Sequence, residues 1–188
     1  PHPYGKNLFV DFYEWLNFLG NLSVRTNYDW YIKLHPDYLP ETKKIISDFL
    51  LKFKNIKYIP SKYSHHQLIN EGIDVALTCW GSIAHEYPLF DRLVINASLN
   101  NPHIAYSFSL HPKSIMEYKR LLLNLKSKKK ITKKNKKSII EFYAMNFILK
   151  KNWMISRFQN IINDKNYRYY YIFKSCLLYT SPSPRDKR

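Results

Sequence analysis

Cysteine, glycine, acidic residues and long apolar runs are what this chain has least of. Two cysteines occur, Cys79 and Cys176. Cys176 lies in a tail set aside below, and a lone Cys79 makes no intrachain disulfide and no metal site, which fits a reducing compartment. No run of 18 apolar residues occurs, so no segment reads as a membrane-spanning helix. Acidic residues number 14 against 30 Lys and Arg, a formal net charge of +16. Such an imbalance invites a nucleic-acid reading, yet no RNA- or DNA-binding motif accompanies it. Glycine is down to 4 residues, and internal repeats are lacking. The chain opens on "PHPYGKN" with neither methionine nor a visible signal peptide. It reads as starting inside a protein, so the missing targeting signal carries little weight.

What is present is a globular composition. The 188 residues have room for one domain of ordinary size with a real core. Hydrophobic residues make up 45%, with 16 Tyr, 11 Phe and 4 Trp, which excludes a disordered chain. The positive charge is local. "KSKKKITKKNKK" (126–137) supplies eight lysines and no acid, a patch or a linker and not a property of the whole surface. The final stretch, "CLLYTSPSPRDKR" (176–188), resembles the conceptual translation of a transposase-type sequencing-library adapter and is excluded from fold reasoning. Without it the chain keeps 27 basic and 13 acidic residues, a net +14.

Periodicity orders the elements. "NLFVDFYEWLNFLGNL" spaces Phe9, Phe12, Trp15, Leu16 and Leu19 by three and four, which predicts a helix over 7–20. "WYIKL" (30–34) reads as a strand stopped by His-Pro. "PETKKIISDFLLKF" opens a helix with Pro40 and Glu41 and carries Ile45, Ile46, Phe49, Leu50 and Phe53. "IKYI" (56–59) is a strand, and "SHHQLINEG" a short helix from Ser64 to Gly72. "DVALT" (74–78), "SIAHEYPLF" (82–90) and "LVINAS" (93–98) read as strand, helix, strand. "HPKSIMEYKRLLLNL" is helical, with Ile115, Tyr118, Leu121, Leu122 and Leu125 on one side and His111-Pro112 as its cap. "KSIIEFYAMNFILKK" is a further helix beyond the lysines. Strands alternating with helices predict βαβ units: an α/β fold with a Rossmann-like parallel sheet flanked by helices, plus extra carboxyl-terminal helices. The first helix would need a preceding strand. The expected organisation is a nucleotide-binding domain at 1–125, a Lys-rich connection at 126–137, a helical segment at 138–175 and the tail at 176–188.

In an open parallel sheet, ligands bind beyond the carboxyl ends of the strands. Two polar junctions stand there. "KLHPD" places Lys33, His35, Pro36 and Asp37 after the first strand, and "TCWGSIAHE" follows the third. Gly81 lets backbone approach a ligand, Ser82 caps the helix or offers its hydroxyl to a phosphate, and free first-turn N–H groups attract anions. His85 and Glu86 follow one turn on. Each signal is weak alone; their joint occurrence raises the functional reading. No metal-ligand cluster is visible, since adjacent His65 and His66 on a helix point about 100° apart.

"WYIKLHPD", "DVALTCWGSIAHEYPLF" and "LVINAS" together resemble the carboxyl-terminal domain of GT-B glycosyltransferases of capsule and surface polysaccharide synthesis. Capsule Kdo transferases, bacterial sialyltransferases and CDP-glycerol glycerophosphotransferases share the order of strand, His-Pro, and later a strand ending in serine at a helix start. The likeness covers about residues 4–150. It implies that His35 and Ser82 hold donor phosphates, with Gly81 giving backbone access and Glu86 taking the ribose. Lys33, Pro36 and Thr78 are expected in the same nucleotide site, and Asn100, Asn101 and His103, which follow the last strand, are candidates for its sugar side. "FDRLVIN" departs from the family's Gly-x-Pro by placing Asp91 and Arg92 in that turn.

The resemblance implies transfer from a nucleotide-sugar or CDP-alditol donor, tilted towards cytidine, to a glycan or lipid-linked acceptor. No cofactor and no metal are expected, and the catalytic base lies in a partner domain outside this sequence. The expected place is the cytoplasm, with the Lys-rich segment touching anionic lipid at the inner membrane face. Two rivals are a nucleotide-sugar 2-epimerase on the same scaffold, whose acidic Gly-rich signature "CWGSIAHE" does not match, and a basic nucleic-acid-binding module. Against the latter, the lysines cluster outside the motif-bearing core, so no nucleic-acid partner is expected.

Overall fold

Four short strands alternate with helices in the order the periodicity predicts. The computed structural model describes residues 6–35, 38–125 and 133–148. The chain divides into two compact units, Pro1–Phe142 and Tyr143–Arg188. The elements are α1 (Phe12–Ser23), β1 (Trp30–Lys33), α2 (Pro40–Lys52), β2 (Ile56–Ile59), α3 (His65–Asn70), β3 (Val75–Thr78), α4 (Ile83–Glu86), β4 (Leu93–Asn96), α5 (Ile115–Leu123) and α6 (Lys133–Tyr143). A π-helical turn, Ala144–Ile148, follows α6. Residues 126–132 and 149–188, including the expected tail, lie outside the described residues, while Lys133–Lys137 of the lysine run open α6.

The strands pair in parallel: β1 with β2 from Trp30↔Ile56 to Lys33↔Ile59, and β3 with β4 from Val75↔Leu93 to Thr78↔Asn96. Parallel neighbours need a crossover. Here α2 supplies one, and α4 with the turn after it supplies the other. The result is a mixed α/β arrangement of two parallel two-stranded sheets flanked by helices. Alternation along β3 and β4 sends side chains to both faces. Ile95, with Leu77 and Val75, joins the main core of Phe9, Leu19, Leu22, Trp30, Phe49, Phe53, Ile56, Tyr118 and Leu122. Ala76 and Val94 face the other way, onto Ile69, Ala84 and Tyr87.

Several boundaries differ from the periodic reading, each for a local reason. α1 starts at Phe12 and not at residue 7, because the Asp11 carboxylate accepts the Glu14 N–H at 2.7 Å and caps the helix there. The residues before it are held by antiparallel pairing: Leu8 N–H donates to Ala97 O (3.1 Å) and Leu99 N–H to Lys6 O (2.9 Å). Phe9 therefore reaches the core from the bend ahead of α1. Within the predicted stripes, Phe12, Ile45 and Ile115 are exposed. The segment 82–90 is only one α-turn, and it continues as a tighter 3-10 turn over Tyr87–Phe90, where Pro88 has no N–H to extend an α-helix. That turn closes on Asp91 at φ +59°, the left-handed region Asp tolerates better than most side chains. Arg92 pairs with Asp74 (2.6 Å) and Lys136 with Asp91 (2.9 Å) around it. α5 is capped by Ser114, whose Oγ accepts the Glu117 N–H at 3.1 Å, and not by His111-Pro112; His111 turns inward instead.

Candidate functional site

The charges of Lys33, at the end of β1, and Glu86, on the helix after β3, both act on one imidazole, that of His65. Lys33 ends β1, half-buried, and His35 beyond it is exposed; Pro36 and Asp37 lie outside the described residues. His65 opens α3 behind a full capping box, in which Gln67 N–H donates to Ser64 Oγ and Ser64 N–H to Gln67 Oε1. Its Nδ1 lies 3.1 Å from the Tyr87 hydroxyl, with the rings edge to face at 5.5 Å. Burial lowers the His65 pKa, the Lys33 ammonium lowers it further, and the Glu86 carboxylate opposes both. Lys33 from β1 and Glu86 from α4 thus act on the same ring. Burial and the Glu86 charge also push the Tyr87 hydroxyl up to about 12.

At the end of β3, Thr78 is buried and its Oγ1 accepts the Gly81 N–H at 2.9 Å. A Cβ on Gly81 would lie 2.8 Å from that oxygen, so glycine is required by the turn itself. Ser82 is exposed, in helical backbone, and makes no side-chain cap bond. The N–H groups of Ala84 and His85 are taken up by the carbonyls of Gly81 and Ser82, both at 3.0 Å. The hydroxyl of Ser82 is thereby the part of this junction with no structural duty in the helix. Cys79 is buried, its thiol directed at Ala97 O (3.9 Å) and pushed up to about 12 by burial, which leaves it unreactive.

The loop after β4 separates the three residues expected to face a sugar. Asn100 is exposed, with its N–H on Ser98 Oγ (3.1 Å), whereas Asn101 and His103 are buried. His103 Nε2 lies 2.7 Å from His85 Nδ1, and the Phe142 ring of α6 sits 4.9 Å from both imidazoles. Asn101 Oδ1 accepts the His103 N–H (2.9 Å) while its Nδ2 meets His111 Nδ1 (3.1 Å). His111 Nε2 contacts Tyr106 O and Ser109 Oγ, each at 3.2 Å, and Asn96 Nδ2 donates to Ser109 Oγ at 3.0 Å. Burial lowers the pKa of all three histidines. His103, with His85 and His111 beside it, is brought down to about 4.

The sequence puts His85 one turn into the helix after β3, with no role assigned, and His103 in the loop after β4, and holds no sign of their pairing or of Phe142. Among the described residues, no group of three or more His, Cys, Asp or Glu is arranged to hold a metal ion. A surface depression of about 430 Å³ lies elsewhere, before β1, lined by Thr26, Tyr28, Lys52, Phe53 and Lys54 among others. It includes none of the junction residues. No helix among the described residues is long and apolar enough to cross a membrane. No protein-family model matches the chain, and neither a curated protein nor a solved structure matches it.

Proposed function

We propose that this chain is the donor-nucleotide-binding part of a glycosyltransferase, or of a related glycerophosphotransferase, of capsule or surface polysaccharide synthesis. In this reading its strands belong to the Rossmann-like carboxyl-terminal half of a GT-B fold. The observation that supports it is that the charges of Lys33, at the end of β1, and Glu86, on the helix after β3, both act on His65. Ligands of open α/β folds bind beyond the carboxyl ends of the strands. Lys33 and the Ser82 hydroxyl meet the donor phosphates, His35 adds a donor at the rim, and the Glu86 carboxylate accepts from a ribose hydroxyl.

With a nucleotide-sugar donor the chemistry is a displacement at the anomeric carbon; with a CDP-alditol donor the acceptor oxygen attacks the β-phosphorus and CMP leaves. For the sugar donor, a base in a partner domain removes the acceptor proton, the acceptor oxygen bonds to the anomeric carbon, and the bond to the donor phosphate breaks. The departing oxygen keeps the electron pair, and Lys33 and Ser82 stabilise its charge. The Lys-rich segment gives the protein a peripheral hold on anionic lipid beside its acceptor.

Isothermal titration with CMP, CDP and UDP tests the reading. Binding of at least one nucleotide is expected, with Ser82→Ala and Lys33→Ala each weakening it about tenfold, roughly the worth of one charge-assisted hydrogen bond. Because Ser82 caps nothing, Ser82→Ala leaves folding stability unchanged, so a lost affinity is a lost contact. No nucleotide binding by the chain, or unchanged affinity in both variants, sinks the proposal. Salt-sensitive binding to any oligonucleotide would favour a nucleic-acid module instead.

A further inference from the structure

Buried His103 and half-buried His85 and His111 play no part in the donor site, and their hydrogen bonds define where their protons sit. Asn101 is oriented by its Oδ1, which takes the His103 N–H, so its Nδ2 faces His111 Nδ1. That nitrogen must be a bare acceptor, which places the His111 proton on Nε2, donated to Tyr106 O. The 2.7 Å contact between His85 and His103 needs one N–H and one lone pair. His103 Nδ1 is buried with no hydrogen-bond partner, and a bare nitrogen there costs less than an orphaned N–H. His103 Nε2–H therefore donates to His85 Nδ1, and both rings are neutral.

A further proton has two places to go, both unfavourable. On His85 Nδ1 it sets N–H against N–H and breaks the contact. On His103 Nδ1 it creates a buried cation with an N–H that has no acceptor. We propose that the His85–His103 contact beneath Phe142 is a pH-operated latch, holding α6 over the carboxyl ends of β3 and β4 while both rings are neutral and releasing it when either becomes an imidazolium.

The surrounding groups support a neutral closed state. Glu86 on α4 is the carboxylate whose charge reaches His85, where it favours protonation against the dominant effect of burial and so raises the pH of release. His111, on the segment before α5, acts on His103 in the opposite sense. From α6 the pair meets the apolar ring of Phe142. Three charged side chains of the helix are engaged elsewhere: Lys136 with Asp91 at 2.9 Å, and Lys137 with Glu141 at 3.8 Å on the exposed face. The face of Phe142 attracts a cation weakly, but it supplies no acceptor for His103 Nδ1. Other holds on α6 include buried Ile139, the Phe142 ring against Tyr106 (5.3 Å) and Phe108 (5.8 Å), the Lys136–Asp91 pair and the bond from Asn135 Nδ2 to Ser107 O (3.0 Å). Release uncovers Asn101 and His103. The latch stands independently of the donor-binding reading.

Hydrogen exchange of the whole chain, with rates corrected for intrinsic chemistry, tests it. Amides of 135–142 should lose about tenfold in protection between pH 7 and 5, while Val94–Asn96 keep theirs. A His85→Phe/His103→Leu double variant should hold α6 equally at both pH values. Unchanged wild-type protection of 135–142, or the same loss in the double variant, overturns the latch. Should that variant not fold, NMR titration of the wild-type imidazoles decides: His103 neutral below pH 5.5 is the expected result, and both rings titrating at the ordinary value of 6.5 overturns it.

Discussion

Thr78 and Gly81 make the turn after β3 as a pair. The hydroxyl of one holds the N–H of the other at 2.9 Å, and the missing Cβ leaves space for that oxygen. Thr78→Val keeps the shape and removes the acceptor. It should cost about 1 kcal/mol, the usual net value of one hydrogen bond, read from the urea midpoint at constant slope. Loss of the turn should also weaken nucleotide binding, since Ser82 is the next residue along. In the sequence, Gly81 read as a place where backbone approaches a ligand. Its partner is Thr78, through the same three-residue spacing that caps α1, α3 and α5, a signal masked in the sequence because Thr78 reads as the end of the strand.

Helix α1 meets α2 at Gly20, where an added Cβ would fall inside contact distance of the Phe53 ring. Two effects compete in Gly20→Ala. Helix propensity favours alanine by about 1 kcal/mol, and overpacking a buried contact costs about 1–3 kcal/mol. Phe53 is itself buried in the core and cannot swing away freely, so the variant should be less stable, by about 1 kcal/mol net, in thermal or denaturant unfolding. Stability above wild type would mean that the ring relaxes into free space. Elements of this length were legible where chemistry and period agreed: Pro40 and Glu41 started α2, and Ser64 with Gln67 started α3. They were less legible where a stripe was wider than its contact. Ile45 and Ile115 satisfy the period and still face solvent, because the neighbouring elements cover only part of each helix.

For the whole molecule, buried His103 makes stability depend on pH. His103 is lowered from 6.5 to about 4, so between those values the unfolded chain binds more protons than the folded one. Stability then rises with pH across that window, and this contribution levels off above about pH 7. The loss on going down to pH 4 is on the order of 2–3 kcal/mol for this group alone. Urea unfolding of wild type and His103→Gln at pH 7.5, 5.5 and 4.5 checks it: the stability difference between the two should shrink or reverse as pH falls. A difference constant with pH would show that His103 titrates alike in both states.

The order of strands and helices, their approximate ends, and the two polar junctions beyond β1 and β3 follow from the amino-acid sequence alone. Periodicity and capping act over a few residues, and the chain carries that information locally. Which strand ends meet was decided only by the tertiary structure. The Lys33 and Glu86 charges act on His65, and His85 meets His103 under Phe142, across segments distant in the chain. Such contacts depend on the path of the whole chain and on which faces the crossovers bury. The same path turned Asn101 and His103 into the interior and left Ser82 at the surface.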